Sequence, residues 1–334
     1  AALDAHRALG RAYIESHAWP SAVEEYLSLV QAVPMDTAAQ ENLGLLLLPT
    51  DPAAAAVHLH AAGTDRAARY LELTAASAIP SYRAILTGRA LCGEEEWALA
   101  VLHLEQAAAD RPNYADAHAY LGYALLQSGF TARAAAHLSL AVSLTPWSVV
   151  ARTFQGMYYE RQGDLDRARA EYETAYDLDP GNPATCIALG RVWAAAGRYD
   201  VAEIWLREAV ELEPDDPELW RVLADFYLDH RLDVAGQGTA ATERLLALRP
   251  DDATAHDLRG WAAFLADDYG TAESHLRRAV ALDPTLATAH YHLGVLLTAQ
   301  DEPSAARMEF IRAVDLDTTG ALRPLVARYC RCDS

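Results

Sequence analysis

The sequence predicts an all-α fold, a solenoid of antiparallel helix pairs ended by a short C-terminal closing helix. Three observations predict it. Prolines recur at Pro112, Pro146, Pro180, Pro214, Pro250 and Pro284, at spacings of 34, 34, 34, 36 and 34 residues. Small residues recur in step with them, at Gly88, Gly122, Gly156, Gly190, Ala224, Gly260 and Gly294. A second small set follows twelve residues after most of these, at Ala100, Ala134, Ala168, Ala202, Ala272 and Ala306. A fixed period of this length means stacked supersecondary units, none of which can bury its apolar face alone.

One copy shows what a period contains. Between Asp116 and Thr145, Tyr120, Leu121, Ala124 and Leu125 form a stripe at helical spacing. "QSGFT" breaks that helix at Gly129, a second stripe runs through Ala134, Ala135, Leu138, Ala141 and Val142, and Pro146 stops it. Gly122 and Ala134 let the two backbones approach, and Ala141 makes room for the first helix of the next copy. Gly10, Ala22 and Pro34 extend the register to the start of the chain.

The copies share a pattern. In "WRVLADFY", Trp220, Leu223, Ala224 and Tyr227 occupy W-x-x-L-G-x-x-Y, with alanine for glycine. Ala168, Tyr172 and Pro180 supply the later alanine, aromatic and proline positions, and Phe310 fills the aromatic position of the last copy. This resembles the tetratricopeptide repeat family. About nine repeats, starting near Leu3, Thr37, Ser81, Ala115, Val149, Pro183, Pro217, Ala253 and Ala287, cover nearly the whole chain. The resemblance implies a right-handed superhelix whose first helices line the concave side.

The expected organisation is an N-terminal part over 1–80 with an irregular insertion at about 49–80, seven repeats over 81–320, and a closing helix with tail over 321–334. The insertion shows as 44 residues between Gly44 and Gly88, ten more than one period. There "PTDP" replaces the usual turn, and Thr64 to Ser77 reads as an extra or extended helix. The seventh repeat carries two extra residues near Val234 to Thr239, expected as a flexible turn. The last repeat has Thr318 in place of the proline, and Ala321 to Cys332 reads as the closing helix, with Pro324 near its first turn.

Composition narrows the function. At 334 residues a single compact core is near its upper size, and the repeat resolves this as an array. A net charge of −20 argues against nucleic acid or an anionic membrane as partner. All 27 basic residues are arginine, which removes any lysine nucleophile, Schiff base or phosphate-loop lysine. The longest apolar run, Leu43 to Leu48, is too short to cross a bilayer. The chain begins at Ala1 without methionine, which favours a processed protein in an extracellular or periplasmic setting over the cytoplasm.

The reactive residue types point to structure. His6, His118, His256 and His290 fall at the fourth position of a repeat, and His103, His137 and His275 at the twenty-third, as packing or rim residues would. His58/His60 and His290/His292 stand two apart on helices, so their side chains diverge by about 200° and make poor metal pairs. No HExxH, GxGxxG, GxSxG or CxxC occurs, so no catalytic, cofactor or metal residue is assigned. Cys92 and Cys186 lie in first helices three repeats apart, too far for a bridge, and read as small packing residues. Cys330 and Cys332 read as an exposed pair, free or cross-linking to another chain.

Contact surfaces are the better candidates. In the family the second, fifth, ninth, twelfth and thirteenth positions face inward. Here they supply Tyr82, Ile85, Tyr123, Met157, Trp261, Phe264 and Tyr291 as apolar anchors, with Arg11, Arg89, Arg191 and Arg221 as donors. Asp4, Asp116, Glu160, Glu218, Asp225 and Asp257 add the opposite charge. The expected function is a non-enzymatic scaffold holding a protein or peptide segment in this groove. The alternative is a structural subunit polymerising head to tail, with Leu3 and Ala12 at one end and Leu322, Leu325, Val326, Tyr329, Cys330 and Cys332 at the other.

Overall fold

The structure, a computed structural model, describes residues 2–329. Among the described residues there are twenty α-helices, one π-helical turn and no strand. They run as α1 (Ala2–Glu15) and α2 (Trp19–Ala32), α3 (Thr37–Leu47) and α4 (Pro52–Ala62), the single α5 (Asp65–Ala75), then α6 (Pro80–Gly93) and α7 (Trp97–Asp110). The pairs continue as α8 (Ala115–Gln127) and α9 (Thr131–Leu144), α10 (Val149–Arg161) and α11 (Leu165–Leu178), α12 (Pro183–Ala195) and α13 (Tyr199–Leu212). Last come α14 (Pro217–Asp229) with the π turn (Val234–Gly238) and α15 (Thr239–Leu248), α16 (Ala253–Leu265) and α17 (Tyr269–Leu282), α18 (Ala287–Ala299) and α19 (Pro303–Leu316), and α20 (Arg323–Val326). The chain falls into two compact lobes, Ala1–Pro180 and Gly181–Ser334. Each is a stack of antiparallel pairs.

The repeated prolines act through the residue before them. Proline's ring excludes its predecessor from helical ψ, so the second helix of a pair must end there. The residues Val33, Arg111, Thr145, Asp179, Glu213, Arg249 and Asp283 all leave the helix at φ between −132° and −147° and ψ between 73° and 96°. Asp317, followed by threonine instead, departs with φ −75°. Inside the pairs a left-handed residue reverses the chain: Gly129, Gly163 and Gly197 in three repeats, and Glu95, Arg231, Asp267 and Asp301 at the equivalent place in others.

Close approach of the two helices is set by one glycine per pair. A Cβ on Gly122 would stand 2.6 Å from Leu138 Cγ and 3.1 Å from the Leu138 nitrogen. The same side-chain conflict recurs at Gly88 with Leu104, Gly156 with Tyr172, Gly190 with Leu206, Gly260 with Leu276 and Gly294 with Phe310, at 2.5–2.7 Å. The seventh repeat has Ala224 instead. Allowing for its two extra residues, the facing register position is Thr242, buried and smaller than the leucine used elsewhere.

A polar seam joins successive repeats, and the fourth-position residues make it. His118 Nε2 donates to the Pro112 carbonyl at 2.8 Å, His256 Nε2 to Pro250 at 3.0 Å and His290 Nε2 to Pro284 at 3.1 Å. Gln40 does the same for Pro34, Arg152 for Pro146 and Trp220 for Pro214. These carbonyls lie past a helix end, where no intrahelical donor reaches them. A carbonyl only accepts, so each histidine carries a proton on Nε2, and its Nδ1 faces the second helix of its own pair, accepting from a histidine at His118 and His256 and donating to the Glu309 carboxylate at His290. There His137 lies 3.0 Å from His118, His275 2.9 Å from His256, and Glu309 2.5 Å from His290. Two of the three twenty-third-position histidines, His137 and His275, are thus partners of fourth-position ones, whereas His103 bonds the Leu45 carbonyl.

Two expectations need correction. The segment around Val234 is not a flexible turn: its two extra residues are absorbed in the π-helical turn, with Asp233 Oδ2 accepting from the Gln237 amide. The closing helix is a single turn, Arg323–Val326. The insertion holds a separate helix, α5, because Gly63 ends α4 in a left-handed conformation and Thr64 caps the next helix through the Ala67 amide. In the N-terminal lobe α1 and α3 both reach α7, and the His17 ring packs between Trp19 and Phe130 at centroid distances of 4.9 and 4.7 Å. Cys92 and Cys186 are free and buried, and Cys330 and Cys332 lie outside the described residues.

Two outcomes follow from this packing. Gly122→Ala is expected to cost about 1–3 kcal/mol in chemical denaturation despite alanine's better helix propensity, whereas Gly93→Ala, with open space around it, leaves stability unchanged or slightly raised. The second concerns pH. His103 is 1% exposed, donates Nε2 to the Leu45 carbonyl at 3.0 Å, and burial pushes its pKa down to about 4. The unfolded chain takes up this proton near pH 6.5 and the folded chain only near 4. Its contribution, up to about 3 kcal/mol, is therefore complete above the unfolded pKa and is lost as pH falls from 6.5 toward 4. Melting curves at pH 7.5 and 5.0 should show a smaller acid loss for His103→Gln, which keeps a donor for Leu45, than for the wild type.

Candidate interaction face

The sequence-selected inner residues all lie on the first helices of their pairs, and each lobe carries its own set. In the N-terminal lobe Arg11 on α1 is exposed and borders a cavity of about 540 Å³ that Glu41, Arg66, Glu96 and Trp97 also line. Arg66 is held there by Glu41 at 3.0 Å and Glu94 at 2.7 Å. On α6, Tyr82 is 41% exposed, and Arg89 places its guanidinium 4.9 Å from the Tyr120 ring centroid. Tyr123 lies parallel to Phe154 at 4.3 Å and meets Trp97 edge-on at 5.4 Å, and Met157 is half-buried against the same core. Ile85 is a correction: it is 2% exposed, because α6 is packed by α5, α7 and α8 and leaves that side closed.

In the C-terminal lobe the face is more polar. Arg191 on α12 is exposed and engaged in an interaction of its own. Arg221 on α14 bonds Glu218 at 2.8 Å and Asp225 at 3.0 Å. Burial raises the Asp225 pKa to about 6, and the charges of Asp229 and Asp257 push the same way against Arg221. Asp257 is buried and takes His292 Nδ1 at 2.8 Å. That histidine stacks on Trp261 at 4.2 Å, and Trp261 stacks on Phe264 at 5.0 Å. Tyr291 lies 6.2 Å from Phe310 and 6.4 Å from Tyr329. The result is an aromatic ladder beside three carboxylates, braced from within and half open to solvent.

The two ends are not alike. On α1, Leu3 and Ala12 are exposed. At the other end Leu322 is 9% and Val326 7% exposed, Val326 packs into the core formed by α16 to α19, and Leu325 is half-buried. Tyr329 stacks on Phe310 at 5.3 Å. The expectation that Leu322 and Val326 offer a free apolar surface is therefore corrected: they cover the last pair from within their own lobe. The histidine partners at the repeat seams escaped the sequence reading, although the 19-residue offset between the two histidine sets was visible. Among the described residues no group of three or more His, Cys, Asp or Glu side chains could hold a metal ion, and no helix is long and apolar enough to cross a membrane.

Comparison with known proteins agrees with this architecture. Two tetratricopeptide repeat family models match, one over residues 160–226 and the other over 85–146, 235–287 and 267–321. A search of curated proteins finds no match. Among solved structures the chain is similar to a tetratricopeptide repeat protein from Parabacteroides merdae, with TM-score 0.57 and 16% identity over 74% of this chain and 97% of that one. It is similar to the structure of the APC/C hetero-tetramer Cut9–Hcn1, with TM-score 0.53 and 16% identity over 96% of this chain and 75% of that one. It is also similar to Pseudomonas aeruginosa pilF, with TM-score 0.51 and 20% identity over 64% and 97%. Repeat period, helix pairing and family match agree, and the chain belongs to the tetratricopeptide repeat family.

Proposed function

We propose that the protein is a non-enzymatic scaffold that holds a segment of a partner protein against the first-helix face of its C-terminal lobe. The observation that carries this reading is the ladder of Trp261, Phe264, His292 and Tyr291 beside Asp225, Asp229 and Asp257. Fixed aromatics present contact area at little entropic cost, and neighbouring polar groups orient what docks there. The Asp225 carboxyl gains from a cation, so lysine or arginine side chains belong in the bound segment. The family's role in protein–protein interaction supports the general assignment.

Head-to-tail polymerisation is the weaker reading. It requires an open apolar surface at both ends, and Leu322 and Val326 are spent inside the lobe. Sedimentation of the concentrated protein as a monomer would agree with the scaffold reading.

Peptides selected from a random library on the folded protein provide the direct test. Trp261→Ala is expected to weaken the best of them by 30-fold or more, equivalent to about 2 kcal/mol, while Ile204→Ala on the exposed side of α13 leaves affinity unchanged. Selected peptides indifferent to Trp261→Ala would remove this face as the site.

A further inference from the structure

The insertion between Gly44 and Gly88 builds a cavity that no repeat position accounts for. It has a volume of about 220 Å³ and lies between the Pro49–Pro52 turn, the end of α5, the start of α6 and α7. None of its lining residues is acidic, in a chain of net charge −20. Arg83 and Thr87 stand one helical turn apart on α6 and therefore share a face. Arg83 meets only the Ser77 carbonyl, at 3.4 Å, and among the described residues no carboxylate pairs with it. Asp51 is engaged in capping α4 through the Ala54 amide, and Asp110 in accepting from Gln106.

His103 completes the set from α7. It is more than nine-tenths buried and lines the cavity. Its Nε2–H is committed to the Leu45 carbonyl, so Nδ1 is a lone pair, and among the described residues nothing donates to it. Thr87 lines the same cavity, and its hydroxyl has no hydrogen-bond partner among the described residues. Buried polar atoms are normally satisfied, and those facing a cavity are satisfied by what fills it. Leu48, Pro49, Pro52, Pro80 and Ala84 add apolar surface to the lining.

We propose that this cavity is a binding site for a small 2-hydroxy carboxylate, with the carboxylate against the Arg83 guanidinium and the hydroxyl donating to Nδ1 of His103. The donor–acceptor pattern selects the ligand. Arg83 supplies donors only, His103 Nδ1 accepts only, Thr87 does either, and Gln106, whose Nε2 donates to Asp110, adds the acceptor Oε1. A ligand with an anionic acceptor next to a hydroxyl donor matches Arg83, Thr87 and His103, and a short alkyl part meets the leucine and prolines. The cavity's volume of about 220 Å³ suits a ligand of a few carbons. The site is independent of the first-helix face of the C-terminal lobe and stands or falls separately.

Calorimetric titration of the whole protein with 2-hydroxyisobutyrate, isobutyrate and 2-hydroxyisobutyramide tests it. The hydroxy acid should bind at least tenfold more tightly than either analogue, one lacking the hydroxyl and the other the charge. Arg83→Gln should abolish the preference for the acid over the amide, and Thr87→Val should weaken the acid severalfold, both with an unchanged melting temperature. Absence of binding to the folded wild type, equal affinity for acid and amide, or equal affinity for the two acids would each overturn the proposal. So would unchanged affinity in Arg83→Gln. Should that variant fail to fold, the three-ligand ranking on the wild type decides alone.

Discussion

The contact on which the structure depends is the one between a glycine on the first helix of most pairs and the large side chain facing it, sixteen residues later at Gly88, Gly122, Gly156, Gly190, Gly260 and Gly294. At Gly122 and Leu138 there is no room for a single added carbon. This separation lets leucine, tyrosine or phenylalanine fill the gap between two backbones at close-packed density. It also fixes the pitch of each pair. The buried alanines at Ala134, Ala168, Ala202 and Ala272 can then recur at one position, because the space they occupy is the same each time. In the seventh repeat both members change, to Ala224 on the first helix and the buried Thr242 at the facing register position.

Between pairs the constraint is polar. A proline ends most of the second helices by forbidding helical geometry to its predecessor, and its carbonyl then lacks an intrahelical donor. A residue six positions later supplies one, and its other polar atom is held by the second helix of the same pair. Histidine suits this place because one ring bonds in two directions, Nε2 donating to the carbonyl and Nδ1 meeting the second helix. The seam is chemically tolerant, since Gln40, Arg152 and Trp220 serve in other repeats. It is electrostatically mixed as well. His290 faces a glutamate, whereas burial and a second imidazole together depress the His137 and His275 pKa values.

Much of this was legible in the sequence. Thr37, Ala115, Val149, Pro183, Pro217, Ala253 and Ala287 are the observed first residues of their helices, because proline and glycine punctuation acts locally. The inner face was legible only in part. Trp261, Phe264 and Tyr291 could be placed by repeat position, but their bracing by His292 and Tyr329 depends on the neighbouring repeat and the closing turn. Ile85 was misplaced because the extra helix packs beside α6. Leu322 and Val326 were misplaced because amphipathicity alone does not say which partner takes the apolar side. The seam hydrogen bonds were hidden for a similar reason: offsets of six and nineteen residues meet only after two helices have turned back on each other. The length of the insertion was readable, the cavity behind it was not.

The central claim is that glycine and its facing side chain form one packing unit. A double-mutant cycle on Gly122 and Leu138 tests it most directly. Gly122→Ala and Leu138→Ala should each destabilise the protein, the first by crowding and the second by leaving a cavity, and the double variant should recover at least about 1 kcal/mol relative to their sum. Simple additivity of the two losses would contradict the account.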